Sequence, residues 1–241
     1  MSTIVQAYNG KFDNTTAPAI PFKATATAGN LLAVSFAKKS DFYGIEVIES
    51  GWTVIGATFA TSDTFAGIAV VKVSDGTETG ISFRRDNSDP FASTADHFYS
   101  YAEISLGSAV SVIDASYNAA NVGSAVTSTA SGTATPTGDG TSIGLFMGRA
   151  GINLYPMTYD TGFTVANDGT DAAEFTSQFS SSECVCAVSV KDFTGTSAQQ
   201  MTANTTDTGG YMWAGITIVQ VAASGSIPPS VFQNANQQVL S

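Results

Sequence analysis

The chain has one histidine, His97, preceded directly by Asp96. A Ser-His-Asp relay needs a carboxylate on the imidazole's own side, and neighbours along a strand point to opposite faces. No Gly-x-Ser-x-Gly elbow supplies a nucleophile. Paired carboxylates would serve a glycosidase, but Glu46, Glu49, Glu78, Glu103, Glu174 and Glu183 are scattered. Glu103 alone stands in an apolar run, Tyr101-Ala102-Glu103-Ile104, where burial would shift its pKa. A lone strand glutamate more commonly faces solvent, and that is the expectation here. Asp86-Asn87-Ser88-Asp89 has oxygen ligands at the spacing of part of a calcium loop. It lacks the glycine and terminal glutamate of an EF-hand, so a polar loop bonding its own backbone is expected. Cys184 and Cys186 fall on one side of a strand, near the upper limit for a bridge. They read as buried thiols, and with no second cysteine pair a zinc site is not expected. No phosphate-cradling Gly-x-x-x-x-Gly-Lys-[Ser/Thr] occurs. The expectation is no catalytic residue, no metal and no cofactor, and so no enzyme.

The remaining candidates are loop aromatics. Phe42, Tyr43 and Tyr155 stand in loops that take equivalent places in two similar stretches of chain. An exposed tyrosine offers a sugar ring apolar contact with a polar handle. The two loops come together only if the stretches pack in the same sense.

The elements that must position these residues read as strands. Only 12% of residues are charged, and Gly, Ser, Thr and Ala are abundant. That suits turns and solvent faces of strands rather than long helices. Leu31 to Ala37 is nearly continuous apolar sequence, as expected of a strand covered on both faces. Gly51-Trp52-Thr53-Val54 follows, then Ile68 to Val73, an Asp75-Gly76 turn, Ile81 to Phe83, and Tyr99 to Leu106. The plan then returns as Thr141 to Met147, Gly162-Phe163-Thr164-Val165, Glu183 to Lys191 and Trp213 to Val221. Trp52 and Phe163 read as matching core aromatics. The expected fold is all-β, a jelly-roll-like sandwich of two sheets built from two similar halves, about 27–106 and 137–222, within one domain spanning 1–222.

From residue 223 the strand period stops. Ser224 to Gln238 contains Pro228-Pro229 and few charges. Residues 223–241 are either a frayed terminus or an extended arm that docks on a neighbouring subunit through Ile227, Val231 and Phe232.

Net charge is −11, from nine basic and twenty acidic residues. The basic residues come in ones and twos, so no stripe serves nucleic acid and no cluster serves a membrane surface. The first residues lack a signal-peptide pattern, and no run approaches a membrane span.

Ala28-Gly29-Asn30-Leu31-Leu32-Ala33-Val34, Gly51-Trp52-Thr53-Val54, Tyr99-Ser100-Tyr101-Ala102 and Ala134-Thr135-Pro136-Thr137 together resemble a β-sandwich family frequent in bacteriophage genomes. The resemblance covers 27–222. The chain departs from the pattern at Asn30, where the family has Asp, in lacking a proline before Gly51-Trp52, and at Glu103. The resemblance implies a non-enzymatic virion protein on the particle exterior: a tail fibre, spike or capsid decoration subunit, made in the bacterial cytoplasm. It implies partners among other virion proteins and copies of itself, a trimer included. The alternative is a carbohydrate-binding adhesin recognising host surface glycans.

Overall fold

The computed structural model describes residues 2–12, 15–39, 43–60, 65–92, 96–107, 110–120, 126–150, 157–159, 162–165, 183–209 and 211–221. The fold is all-β: these residues form sixteen strands and no helix. The first eight strands are β1 (Thr3–Phe12), β2 (Ala19–Pro21), β3 (Leu31–Lys39), β4 (Ile45–Val47), β5 (Thr53–Ala60), β6 (Phe65–Val73), β7 (Gly80–Arg85) and β8 (Asp96–Ser105). The second eight are β9 (Val110–Ala120), β10 (Val126–Ala130), β11 (Gly140–Ala150), β12 (Met157–Tyr159), β13 (Thr164–Val165), β14 (Glu183–Phe193), β15 (Thr202–Gly209) and β16 (Tyr211–Val221).

Four antiparallel sheets result. Two have five strands, in the orders β1-β8-β3-β6-β5 and β13-β14-β11-β16-β9. Two have three, β2-β7-β4 and β10-β15-β12. Adding eight to each label of the first five-stranded sheet gives the second, read in reverse. The same operation turns β2-β7-β4 into β10-β15-β12.

The sheets stack in four layers rather than the expected two, because the central strands bury side chains on both faces. In β3, Leu31, Ala33 and Ala37 point one way and Leu32, Val34 and Phe36 the other, as period two requires. The first set joins Ile143, Leu145, Met147, Val188 and Trp213 in a core between the two five-stranded sheets. The second set packs with Ile20, Ile45, Ile81 and Phe83 of the adjoining three-stranded sheet. Phe146, Ile216 and Ile218 likewise pack with Met201 and Ala203 on the far side. Burying both faces takes the apolar runs out of water twice over.

Gly51 and Gly162, each followed by an aromatic residue, stand just before β5 and β13. Gly51 and Gly162 have φ of 87° and 84°, a conformation that suits glycine. A Cβ at either would meet the stem of a lysine, Lys72 or Lys191. Trp52 packs half-buried against the core beside β2-β7-β4, and Phe163 is buried in the core beside β10-β15-β12. Pro21 lies in an edge strand, where its missing N–H breaks no ladder.

Candidate functional site

Contacts across the middle fix the relative direction of the two five-stranded sheets. The Ser2 amide donates to the Asp192 carboxylate at 2.9 and 3.1 Å, and Asp192 is paired with Thr141 at the start of β11. Ser2 adjoins Thr3, paired with Ser105, level with Leu31 at the start of β3. Further along, the Ser35 hydroxyl donates to the Ala187 carbonyl at 3.0 Å, and Ala187 is paired with Phe146. The Cys186 thiol approaches the Phe98 carbonyl at 3.4 Å; Phe98 is opposite Ala37, and Cys186 opposite Met147. Residues 31, 35 and 37 thus climb alongside 141, 146 and 147, and β3 and β11 run in the same sense.

Two poles follow from this sense. At one, β3 ends at Lys39 and β11 at Ala150, β1 ends at Phe12, and β5 turns into β6. At the other stand Ser2, the end of β8 at Ser105, the start of β9 at Val110 and its partner Val221. The chain therefore leaves both β3 and β11 toward one loop pole, and enters and leaves the described fold at the opposite base.

Tyr43 is the candidate binding residue that the structure places, at the loop pole. It is 41% exposed, and the Arg85 guanidinium lies over its ring, 4.6 Å from the centroid. The Asp86 amide donates to the Gly44 carbonyl at 3.3 Å, and the Arg85 amide to the Asp89 carbonyl at 3.1 Å. Glu46 accepts from Arg84 Nε at 2.7 Å and from the Ser88 hydroxyl at 3.2 Å. Asn87 and Asp89 bond each other, the Asp89 amide donating to Asn87 Oδ1 at 3.1 Å and Asn87 Nδ2 to Asp89 Oδ2 at 2.9 Å. Asn87, Ser88 and Asp89 thus engage one another, the loop backbone and Glu46. Ser88 adopts φ of 68° within the loop. Among the described residues no group of three His, Cys, Asp or Glu could hold a metal ion. Phe42, Tyr155, Ile227, Val231 and Phe232 lie outside the described residues.

The other residues with chemical potential are built into the core. Glu103, expected at a solvent face, is fully buried. Its carboxylate accepts from Gln6 Nε2 at 2.5 Å, the Thr27 amide at 2.8 Å and Asn30 Nδ2 at 2.6 Å. Burial alone would raise its pKa, but these donors outweigh burial and lower it. Gln6 is held in turn: its amide donates to the Ala24 carbonyl at 3.0 Å, and its oxygen accepts from the Ala24 amide at 3.1 Å and the Tyr101 hydroxyl at 3.0 Å. The network pins the turn from Lys23 to Asn30 onto β1 and β8. Asn30 serves here as a donor to Glu103.

Glu78 closes the β6 turn. It accepts from the Lys72 ammonium at 2.7 Å and the Ser74 hydroxyl at 2.6 Å. Burial works against its ionised form, yet these partners and two backbone amides bring its pKa from 4.5 to about 2. His97 is fully buried between aromatic rings, 5.5 Å from Phe36 and 4.6 Å from Phe91. Lys38, opposite it in the ladder, is equally buried with its ammonium 5.0 Å from the Phe91 centroid. Asp96 instead faces Lys11, at 3.9 Å. Cys186 is buried in the central core, as expected.

Sequence reasoning missed the Arg85 cover on Tyr43 and the burial of Lys38. A local signal existed for the second, since Lys38 continues the even-numbered apolar face of Leu32, Val34 and Phe36. No protein-family model matches the chain, and comparison with curated proteins and with solved structures finds no match.

Proposed function

We propose that the chain is a non-enzymatic structural protein of the bacteriophage particle exterior, a tail fibre, spike or capsid decoration subunit, and that each run of eight strands is wound as a jelly roll. The observation that carries this reading is the repeated strand order with its two poles. The pairing β1-β8-β3-β6 beside β2-β7-β4, which recurs eight strands later, supports a jelly-roll reading in which β5 is carried over to the sheet of β6. Jelly rolls are the architecture of viral capsid and lectin domains, so the support is an analogy of folds. The poles add a physical argument. The base, which holds the start of β1 and the end of β16, suits attachment to other virion proteins or to copies of itself. The opposite pole suits exposure to the environment.

The test is the mass of the protein in solution by light scattering, with and without residues 223–241, followed by incorporation into particles. The full chain is expected to be an oligomer. Truncation after Ala222 is expected to leave a folded protein that neither assembles nor enters particles. Normal incorporation of the truncated protein would overturn the docking arm of Ile227, Val231 and Phe232.

A second reading, a carbohydrate-binding adhesin, draws on Tyr43. An exposed phenol ring backed by a guanidinium is a rigid platform for a sugar face. Weak saturable binding on a glycan array, lost in Tyr43→Ala and in Tyr155→Ala, is the expected result. Binding that survives both substitutions would remove these residues from the site.

A further inference from the structure

Two of the large apolar side chains left exposed by the described fold stand on either side of one turn at the flank of the molecule. Ile48 follows β4 and is 49% exposed, and Val54 lies on β5 at 45%. Trp52, between Ile48 and Val54, is half-buried against the core. Both flanking strands are sheet edges, β4 of the three-stranded sheet and β5 of the five-stranded one. Exposed apolar side chains gathered at one place mark an interaction surface more often than scattered ones do.

The end of the described chain lies toward this flank. β5 packs over β16 and β9, with the Trp213 indole against Gly56, and β16 ends at Val221 beside Val110 of β9. The twenty residues 222–241 that follow contain no charged side chain and carry Ile227, Val231 and Phe232. Fully extended they reach about 65 Å, enough to cross to an adjoining molecule. An uncharged segment docks on a chain of net charge −11 without burying or opposing a charge. Because departure point and ridge lie toward the same flank, two copies placed flank to flank can exchange arms reciprocally.

We infer that the ridge Ile48–Trp52–Val54 is the seat for the apolar segment Ile227–Phe232 of a second copy of this chain. The inference rests on the reading of 223–241 as a docking arm. Full-length Ile48→Cys and Val231→Cys variants are mixed, oxidised, and the linked peptides mapped by mass spectrometry. A disulfide joining position 48 of one chain to position 231 of another is expected. A link formed only within single chains of the double variant would overturn exchange between copies, and no link would overturn the seat. Light scattering separates this from the arm itself. Phe232→Glu and Ile48→Lys are each expected to bring the mass down to the 24.8 kDa of one chain. If only Phe232→Glu does so, the seat is wrong and the arm stands. If the unaltered chain is already a monomer, both are wrong.

Discussion

Glu103 holds an ionised carboxylate inside a β-sandwich by giving it three donors, and its removal should be felt at once. Glu103→Leu fits the apolar strand but leaves Gln6, Asn30 and the Thr27 amide without their acceptor. Unmade bonds to buried donors cost about 1–3 kcal/mol each, so a loss of about 3 kcal/mol is expected in urea unfolding. A loss below about 1 kcal/mol would mean that water replaces the carboxylate. Glu78 makes a prediction in pH. Its folded value, about 2, lies below 4.5, so its contribution is full above pH 4.5 and is lost as pH falls toward 2. The difference in melting temperature between Glu78→Gln and the parent should therefore be largest near neutral pH and shrink through that window. A difference constant from pH 7 to pH 2 would sink the assignment. Glu103 could be singled out in the sequence because it interrupts an apolar run. What it does could not, since its side-chain partners are Gln6 and Asn30, brought close only by the folding of β1 and the turn before β3.

At the scale of elements, the strands were largely legible. Leu31 to Ala37 reads as covered on both faces, and β3 is. Tyr99 to Leu106 reads as a strand, and β8 runs Asp96–Ser105. The polar start of β8 at His97 is buried because Phe36 and Phe91 pack on the imidazole, and nothing local to His97 announces those rings. The packing of β5 on β16 was not legible either. A Cβ on Gly56 would collide with the Trp213 ring, and so would one on Gly215 of the same strand as the indole. Nothing in Thr53–Ala60 announces a tryptophan more than 150 positions later. Gly56→Ala should cost about 1–3 kcal/mol, as overpacking does, and Trp213→Phe in the same chain should recover part of it. Additive losses in the double variant would contradict the contact.

For the whole molecule, the all-β class was legible in the sequence but the number of layers was not. Period two assigns residues to faces and says nothing about what covers each face. Only the pairing of distant strands distinguishes one sandwich of two sheets from four stacked sheets. The central core draws on both runs of eight strands, Leu31, Ala33 and Val71 from one and Ile143, Leu145 and Val188 from the other. Neither run can melt without exposing the other's apolar face, so a single cooperative transition is expected. Trp52 and Trp213 report on opposite runs. Fluorescence melts of Trp52→Phe and Trp213→Phe, each followed through the tryptophan that remains, should be two-state with no shoulder from a half-unfolded species. A plateau in either would show that the runs unfold independently.

The thiol of Cys186, sealed in that central core against the Phe98 carbonyl, makes the seam between the five-stranded sheets a clock. In a Cys184→Ser background, a thiol reagent can reach Cys186 only when the sheets part. Its modification rate under native conditions then times the breathing of the middle of the molecule, as a half-life read directly from a mass spectrum.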